Sequence, residues 1–280
     1  MTKPWGASLS WLFVPGDRPD RYAKAVASGA HQVIIDLEDA VAVPEKEAAR
    51  HEVVTWLLAS GAAWVRVNAV GTAWHAADLD AVLDLPGLRG LVLPKATASS
   101  VAEAADRSRH GVPILALVET AVGIVDVSTT AAHPDVVALA FGAVDLAADL
   151  EVEETGDALL YGRSRVVLAA RASGLPAPID GVTLDVRDPA TTAASARRAV
   201  GLGFGGKLCV HPLQVPVVHD AFAPTPEQLR WATRVAEAIG GLNTGGGEVP
   251  SGTWVVDGQF VDRPVLLRVQ RLLTLAEASV

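Results

Sequence analysis

Cysteine is almost absent from this sequence of 280 residues, since Cys209 is the only one. A single cysteine excludes an intrachain disulfide and a zinc cluster built on several thiolates. Long apolar runs are also missing: none reaches the ~18 residues of a membrane-spanning helix, and the first residues lack the apolar segment of a secretory signal. We therefore expect a cytoplasmic protein in which Cys209 is a core residue.

Positive charge is in short supply as well. With 23 basic against 32 acidic residues, the formal net charge is −9. This balance argues against a broad surface for nucleic acid or for an anionic membrane, because both depend on long-range attraction by basic residues. We expect neither partner, although a local basic pocket for a phosphorylated ligand remains compatible with the charge.

Aromatic residues make up only 5% of the chain, whereas half of the chain is hydrophobic. Alanine and valine supply much of that half, so the core is expected to be aliphatic and closely interdigitated. A chain of this length and hydropathy can bury a large core, which excludes disorder as its main state. One domain of barrel or doubly wound size would use most of the length.

Eight short aliphatic runs recur along the chain and predict strands. Most are continuously apolar, as in strands that are buried on both faces of a parallel sheet. An alanine-rich amphipathic stretch follows each run, so strand and helix alternate to about residue 222. The runs cover residues 10–16, 31–39, 62–68, 89–95, 112–119, 135–142, 177–182 and 205–211.

Two architectures fit this alternation, a TIM (β/α)8 barrel and an open, doubly wound sheet. Nearly every run ends in charged or polar residues. An open sheet collects its ligand residues mainly at one switch point, whereas a closed ring gathers them from all strand ends around one mouth. We therefore predict an α/β fold of the TIM-barrel type. The strand-end residues are Asp17, Arg18, Asp36, Glu38, Asp39, Arg66, Asn68, Lys95, Glu119, Asp145, Asp180 and His211.

The sequence after residue 222 predicts a C-terminal extension. It begins with a helix whose N-cap is Thr225, and its hairpin turns at Asp257 and Gly258. The predicted order is a helix over 224–240, a glycine-rich linker over 240–250, a hairpin over 251–262 and a helix over 263–278.

The chain is thus expected to consist of two parts. A catalytic barrel would occupy residues 1–222, and the extension would occupy residues 223–280. The extension has apolar faces but suggests no core of its own. We therefore expect it to pack on the barrel or on a neighbouring subunit.

Glu119 and Asp145 are the strongest candidates for chemistry. Each follows a strongly apolar strand, so a barrel would bring both carboxylates out at its mouth from adjacent strands. Two neighbouring carboxylates repel each other, and one must take up a proton or meet a cation. Mg²⁺ often binds one or two protein carboxylates together with water and substrate oxygens, and Mn²⁺ suits the same ligands. The alternative is that both acids are solvated or paired with arginine.

The segment DLED (36–39) places three carboxylates directly after the second strand. Such a density of acids beside an apolar strand requires counter-charges. A structural belt of ion pairs is the alternative to direct catalysis for Glu38 and Asp39. The candidate counter-charges are Lys46, Arg50, Arg66 and Lys95.

Arg66 lies between valines in the third predicted strand, so its guanidinium must project from a buried stem into the barrel mouth. The planar fork of a guanidinium suits bidentate capture of a substrate carboxylate. A structural salt bridge to the DLED acids is the alternative that the residues themselves leave open.

These segments together resemble the citrate lyase β-subunit-like family, within the HpcH/HpaI aldolase superfamily that includes citramalyl-CoA and malyl-CoA lyases. The resemblance implies a TIM barrel that assembles as a homotrimer or homohexamer, binds Mg²⁺ and cleaves or forms a carbon–carbon bond next to an acyl thioester. Several motifs in one order make it far more specific than any single motif. The matching pieces are LFVPGDRPDRYAKA, VIIDLEDAV, VRVN, LVLPK, LVETAVG, AFGAVDLAADL, IDGV and KLCVHPLQVPVVHDAF within 11–222, and VDGQFVDRP at 256–264.

The resemblance also implies roles for residues of the barrel. Glu119 and Asp145 match the metal ligands of the family. Arg66 matches the clamp on the substrate carboxylate. Asp36 and Glu38 match acids that hold Arg66 or the water around the metal.

Three further residues obtain roles in the same way. Arg18 and Lys24 resemble positions that meet the phosphates of coenzyme A, in a part of the family that varies. Asp262, in FVDRP, matches an acid that in some relatives reaches the active site of a neighbouring subunit. In the condensation direction such an acid could remove the α-proton of the thioester as general base.

The implied reaction is retro-aldol cleavage of a carboxylated β-hydroxyacyl-CoA thioester, of the citramalyl-CoA or malyl-CoA type, to a 2-oxo acid and an acyl thioester. Three alternatives stay open. The first is a citrate lyase β subunit that acts on an acyl-carrier-protein thioester within a complex. The second is a malyl-CoA thioesterase or a malate-synthase-like enzyme. The third is a scaffold subunit without activity, which the presence of Glu119, Asp145 and Arg66 disfavours.

Overall fold

The computed structural model describes residues 5–59, 61–154, 156–242 and 249–277. Eight parallel strands close into a barrel in chain order, which confirms the predicted TIM-barrel fold. Each of the eight aliphatic runs yields one strand. The strands are β1 (Ser10–Pro15), β2 (Gln32–Asp36), β3 (Ala63–Arg66), β4 (Leu88–Leu93), β5 (Ile114–Val118), β6 (Val136–Phe141), β7 (Ile179–Asp180) and β8 (Gly206–Cys209).

Helices connect the strands of the barrel. Two of them, rather than the single stretch predicted from the sequence, lie between β6 and β7. The side chains of Thr97, Thr120 and Asp188 accept hydrogen bonds from backbone N–H groups at helix starts, which fixes where those helices begin. The helices are α1 (Pro19–Val26), α2 (Lys46–Leu58), α3 (His75–Val82), α4 (Ala98–Arg107), α5 (Ala121–Ala131), α6 (Ala143–Leu150), α7 (Leu160–Ala172), α8 (Pro189–Leu202) and α9 (Gln214–Phe222).

The interior of the barrel is a packed cluster of apolar side chains from all eight strands. Two tryptophans, Trp11 and Trp64, meet edge to face in it, with ring centroids 5.2 Å apart. The expectation of an aliphatic core is therefore only partly right, because two large rings lie at its centre. Cys209 is fully buried, and burial raises the pKa of its thiol to about 12, in keeping with a core residue. The cluster comprises Trp11, Ile34, Trp64, Val92, Leu115, Leu117, Ala138, Ala140, Ile179 and Leu208.

The chain divides into two compact units, Met1–His219 and Asp220–Val280. The second unit contains α10 (Pro226–Ala238), a hairpin of β9 (Trp254–Val256) and β10 (Gln259–Val261), and α11 (Arg263–Glu277). It has a small core of its own, contrary to the expectation from the sequence. That core is formed by Ala232, Val235, Ala236, Val261, Leu266 and Val269.

The predicted glycine-rich linker lies largely outside the described residues, because the description omits 243–248. Within the described part of the chain, every helix is too short or too polar to cross a bilayer.

Candidate active site

The carboxyl ends of the barrel strands enclose a cavity of about 280 Å³. In TIM barrels this face carries the active site. The wall has two parts of opposite character. The charged arc comes from β2, β3, β5 and β6 and consists of Asp36, Asp39, Arg66, Glu119 and Asp145. The apolar arc comes from β7, β8 and β1 and consists of Phe13, Val182, Leu184, Leu208 and Val210.

Glu119 follows β5 and is 1% exposed. Its Oε1 accepts a hydrogen bond from the backbone N–H of Lys95 at 2.9 Å. On the other side Gly142 approaches so closely that a Cβ there would collide with Glu119. Burial, with Asp145 and Glu38, raises the pKa of the Glu119 carboxyl to about 8. The site therefore fixes a carboxylate where its negative charge is poorly compensated.

Asp145 lies in the first turn of α6, directly after β6, and lines the same cavity as Glu119. The two acids thus emerge from adjacent strands at one mouth of the barrel. Among the described residues, no cluster of three or more histidine, cysteine, aspartate or glutamate side chains could hold a metal ion. Two carboxylates fit a hard divalent cation such as Mg²⁺, whose other coordination positions are filled by water and substrate oxygens.

Arg66 is held in a fork at the end of β3. Its Nε and Nη2 donate hydrogen bonds to Oδ1 and Oδ2 of Asp36 at 2.7 and 2.6 Å. Its Nη1 lies 3.0 Å from Oε2 of Glu38, and its Cζ lies 4.9 Å from the ring centroid of Phe13. The salt bridge to the DLED acids therefore exists. It leaves some of the five N–H groups for a ligand in the cavity that Arg66 lines.

Glu38 is 5% exposed and lies between two cations. Its Oε1 accepts a hydrogen bond from Lys95 Nζ at 2.7 Å, and its Oε2 faces Arg66. Burial raises the pKa of the Glu38 carboxyl, and both cations act against this rise. Two of the four predicted counter-charges, Arg66 and Lys95, thus pair with the DLED acids.

The other two predicted counter-charges bind elsewhere. Lys46 donates hydrogen bonds to the backbone carbonyls of Leu37 and Glu38 and to Oδ1 of Asn68, at 2.6 to 2.7 Å. Arg50 donates from Nε to Oδ1 of Asp78 at 2.7 Å. Lys46 therefore fixes the backbone that carries the acids instead of neutralising their side chains.

The structure does not bring Arg18 and Lys24 into the cavity wall. The guanidinium of Arg18 pairs with Asp20 at 2.9 Å at the start of α1, and about half of each side chain is exposed to solvent. Lys24 is exposed on the same helix. A contact of these residues with coenzyme A stays a prediction.

One more strand-end residue, Asp180, lies outside the cavity wall, and the predicted residue Asp262 lies in the second compact unit. Asp180 pairs with Arg163 at 3.0 Å and with Lys207 at 3.6 Å. Asp262 belongs to the second compact unit, where its Oδ1 accepts a hydrogen bond from the backbone N–H of Val265 at 3.3 Å. The catalytic role of Asp262 stays a prediction.

Sequence reasoning missed Gln214, which is 3% exposed. Its Oε1 accepts hydrogen bonds from the backbone N–H groups of Val210 and His211, and its Nε2 donates to the carbonyl of Thr183 at 2.8 Å. Gln214 thereby ties together the two loops that carry most of the apolar arc. A polar residue three positions after the strand end His211 was the only signal for it.

Comparison with known proteins identifies the family. Residues 9–212 match the sequence model of the HpcH/HpaI aldolase/citrate lyase family. A citrate lyase subunit beta-like protein of Mycobacterium tuberculosis is 39% identical over 275 residues, which cover 95% of each chain. A (3S)-malyl-CoA thioesterase of Cereibacter sphaeroides is 33% identical over 275 residues, covering 96% of this chain and 94% of the relative.

Solved structures agree with this assignment. The protein CitE from Mycobacterium tuberculosis, in complex with magnesium, acetoacetate and coenzyme A, superposes with a TM-score of 0.83 and 38% identity, covering 97% of this chain and 98% of CitE. These matches confirm the resemblance seen in the sequence motifs. The chain is a member of the HpcH/HpaI aldolase/citrate lyase family.

Proposed function

We propose that this protein is a Mg²⁺-dependent carbon–carbon lyase that cleaves a carboxylated β-hydroxyacyl-CoA thioester of the citramalyl-CoA or malyl-CoA type. The observation that carries the proposal is the pair of the buried Glu119 and the half-buried Asp145, which line one cavity together with Arg66. Complexes of CitE with magnesium and pyruvate, and of a citrate lyase β subunit with oxaloacetate and magnesium, support it, because both ligands are 2-oxo acids.

Each part of the cavity has a role in this proposal. Glu119 and Asp145 would hold Mg²⁺, which when bound supplies Lewis-acid polarisation of substrate oxygens. Arg66 binds the substrate carboxylate, and its fork to Asp36 fixes the orientation before the substrate arrives. The apolar arc receives the uncharged part of the acyl group and excludes water from it.

Cleavage requires two proton movements. The hydroxyl group gives its proton to solvent water as the carbon–carbon bond breaks, which leaves a 2-oxo acid, and the bonding electrons form a thioester enolate. The enolate takes up a proton at its α-carbon to give the acyl thioester. We assign that proton to Asp262 on the resemblance of FVDRP to the family, and we assign the coenzyme A phosphates to Arg18 and Lys24. A homotrimer or homohexamer in the cytoplasm remains part of the proposal.

Hydrolysis of malyl-CoA is the second candidate function. It is favoured by the similarity to proteins named (3S)-malyl-CoA thioesterase. The same cavity would then bind the malyl group. Water would attack the thioester carbonyl and release coenzyme A, and the carbon–carbon bond would stay intact. The citrate lyase β role on an acyl-carrier-protein thioester has similar support in a relative named citrate lyase subunit beta that is 32% identical.

One assay separates these functions. The purified protein is incubated with Mg²⁺ and citramalyl-CoA or malyl-CoA, and both the 2-oxo acid and the free thiol of coenzyme A are measured. A lyase releases pyruvate or glyoxylate without free thiol, whereas a thioesterase releases free thiol without a 2-oxo acid. Activity that requires a carrier-protein thioester and partner subunits would contradict the use of free coenzyme A thioesters.

A further inference from the structure

Lys95 joins two carboxylates of the site through two different atoms. Its Nζ donates a hydrogen bond to Oε1 of Glu38 at 2.7 Å. Its backbone N–H donates to Oε1 of Glu119 at 2.9 Å. Glu38 and Glu119 are both almost completely buried, whereas the Lys95 side chain is 41% exposed. Lys95, which follows β4, therefore fixes Glu119 in the cavity wall and Glu38 behind that wall.

The backbone of Lys95 adopts an unusual conformation. Its φ is +50°, in the left-handed region that residues other than glycine rarely adopt. Such conformations persist where the surroundings impose them, and they cluster at functional sites. Here the next N–H, of Ala96, donates to the carbonyl of Leu117 in β5 at 3.0 Å, so two successive N–H groups of the turn bind β5 and the residue that follows it.

Glu38 in turn contacts Arg66. Its Oε1 is occupied by Lys95, and its Oε2 lies 3.0 Å from Nη1 of Arg66. Without the ammonium group, both Glu38 oxygens would be open to the guanidinium. Arg66 could then form its bidentate fork with Glu38 instead of with Asp36. The ammonium of Lys95 thus favours the arrangement in which Arg66 forms its bidentate pair with Asp36 and lines the cavity.

We propose that Lys95 is a positioning residue, which acts through Glu38 to aim Arg66 at the substrate carboxylate. This inference rests on the proposed function, because that function gives Arg66 a carboxylate to bind. The ammonium of Lys95 is not required to hold a cation at Glu119. Its contact with Glu119 is made by the backbone, which a side-chain substitution retains.

The test uses Lys95→Met and two thermal-shift measurements on the full chain, with Mg²⁺ alone and with Mg²⁺ plus pyruvate. We expect the variant to keep the rise in Tm caused by Mg²⁺ and to lose the further rise caused by pyruvate. Its KM for the thioester should increase about tenfold, with a smaller change in kcat, because carboxylate binding is what the misplaced Arg66 loses. Lys95→Arg should restore most of both properties, since a guanidinium can reach Glu38.

Two controls separate this role from a general loss of structure. Lys95→Gly removes the same ammonium but suits the left-handed backbone, and it should reproduce the defect of Lys95→Met. Arg107→Met removes an exposed ion pair with Asp80 and should match the wild type.

Several results would overturn the proposal. A wild-type KM and pyruvate response in both Lys95→Met and Lys95→Gly would do so. Loss of the Mg²⁺ response in Lys95→Gly would also contradict it, because the whole site would then have collapsed. No Mg²⁺ response in the wild type itself would contradict the proposed function and this role together.

Discussion

At the scale of single residues, Glu119 is the group on which pH acts most directly in the metal-free protein. Its pKa of about 8 in the folded state lies above the ordinary value of 4.5 that applies in the unfolded chain. The folded state therefore binds the proton more tightly. The contribution of this group to stability is fully present below about pH 4.5 and is lost as the pH rises through about 8.

We predict the consequence for Glu119→Gln in the presence of EDTA. Between pH 5 and pH 8 the free energy of unfolding of the wild type should fall by a few kcal/mol more, in order of magnitude, than that of the variant. Urea unfolding at the two pH values measures the difference. An identical pH dependence in the two proteins would show that the burial and the neighbouring acids do not act on Glu119 as described.

The residue scale also shows where prediction from sequence ends. Glu119, Asp145 and Arg66 could be predicted, because strand ends in a closed barrel meet at one mouth and their chemistry is distinctive. The partners of Lys46 and Arg50 could not, since they depend on how α2 is rotated against β2 and α3. Sequence spacing carries no information on that rotation.

At the scale of elements, the junction of β6 and α6 depends on the absence of a side chain at Gly142. A Cβ there would meet the Cβ and Oε2 of Glu119. We predict that Gly142→Ala displaces the carboxylate, costs about 1–3 kcal/mol of stability and abolishes most of the activity. Chemical unfolding and the lyase assay measure the two effects.

Gly201, in α8, provides the matched control for Gly142. A Cβ at Gly201 would meet nothing within 4 Å, and alanine is favoured over glycine inside a helix. Gly201→Ala should therefore leave activity unchanged and preserve or raise stability. Equal effects of the two substitutions would contradict a specific role of the β6–α6 junction.

The loops after β7 and β8 form the second element of the site. Leu184 lines the cavity yet is 56% exposed, so a ligand in the cavity would cover it. We predict that Leu184→Ala lowers kcat/KM roughly 10-fold or more, because contacts with the uncharged part of the acyl group are lost. Leu213→Ala is the control, since Leu213 is 66% exposed and lies outside the cavity wall. Steady-state kinetics with citramalyl-CoA or malyl-CoA measure both variants, and an equal loss of activity in the two would contradict the prediction.

At the scale of the whole molecule, the barrel could be predicted from continuous apolar runs, because strands buried on both faces leave that pattern. The core of the second unit could not, since its members are spread over two helices and a hairpin whose packing the pattern does not fix. The two helices between β6 and β7 were missed for a related reason. Both helices are rich in alanine and leucine, and the break between them follows Leu150, where Glu151 and then Gly156 adopt positive φ angles.

The stability of the barrel unit should depend on Mg²⁺ if the two carboxylates hold it. A ligand that binds only the folded state stabilises it by RT ln(1 + [L]/Kd), which is about 2.7 kcal/mol at a hundredfold excess over Kd. For a unit of this size, each kcal/mol raises Tm by about 2–4 °C. We predict such a rise for the wild type and none for Glu119→Ala or Asp145→Ala, measured by calorimetry with and without Mg²⁺. Equal shifts in the three proteins would place the cation elsewhere and remove the basis of the proposed lyase.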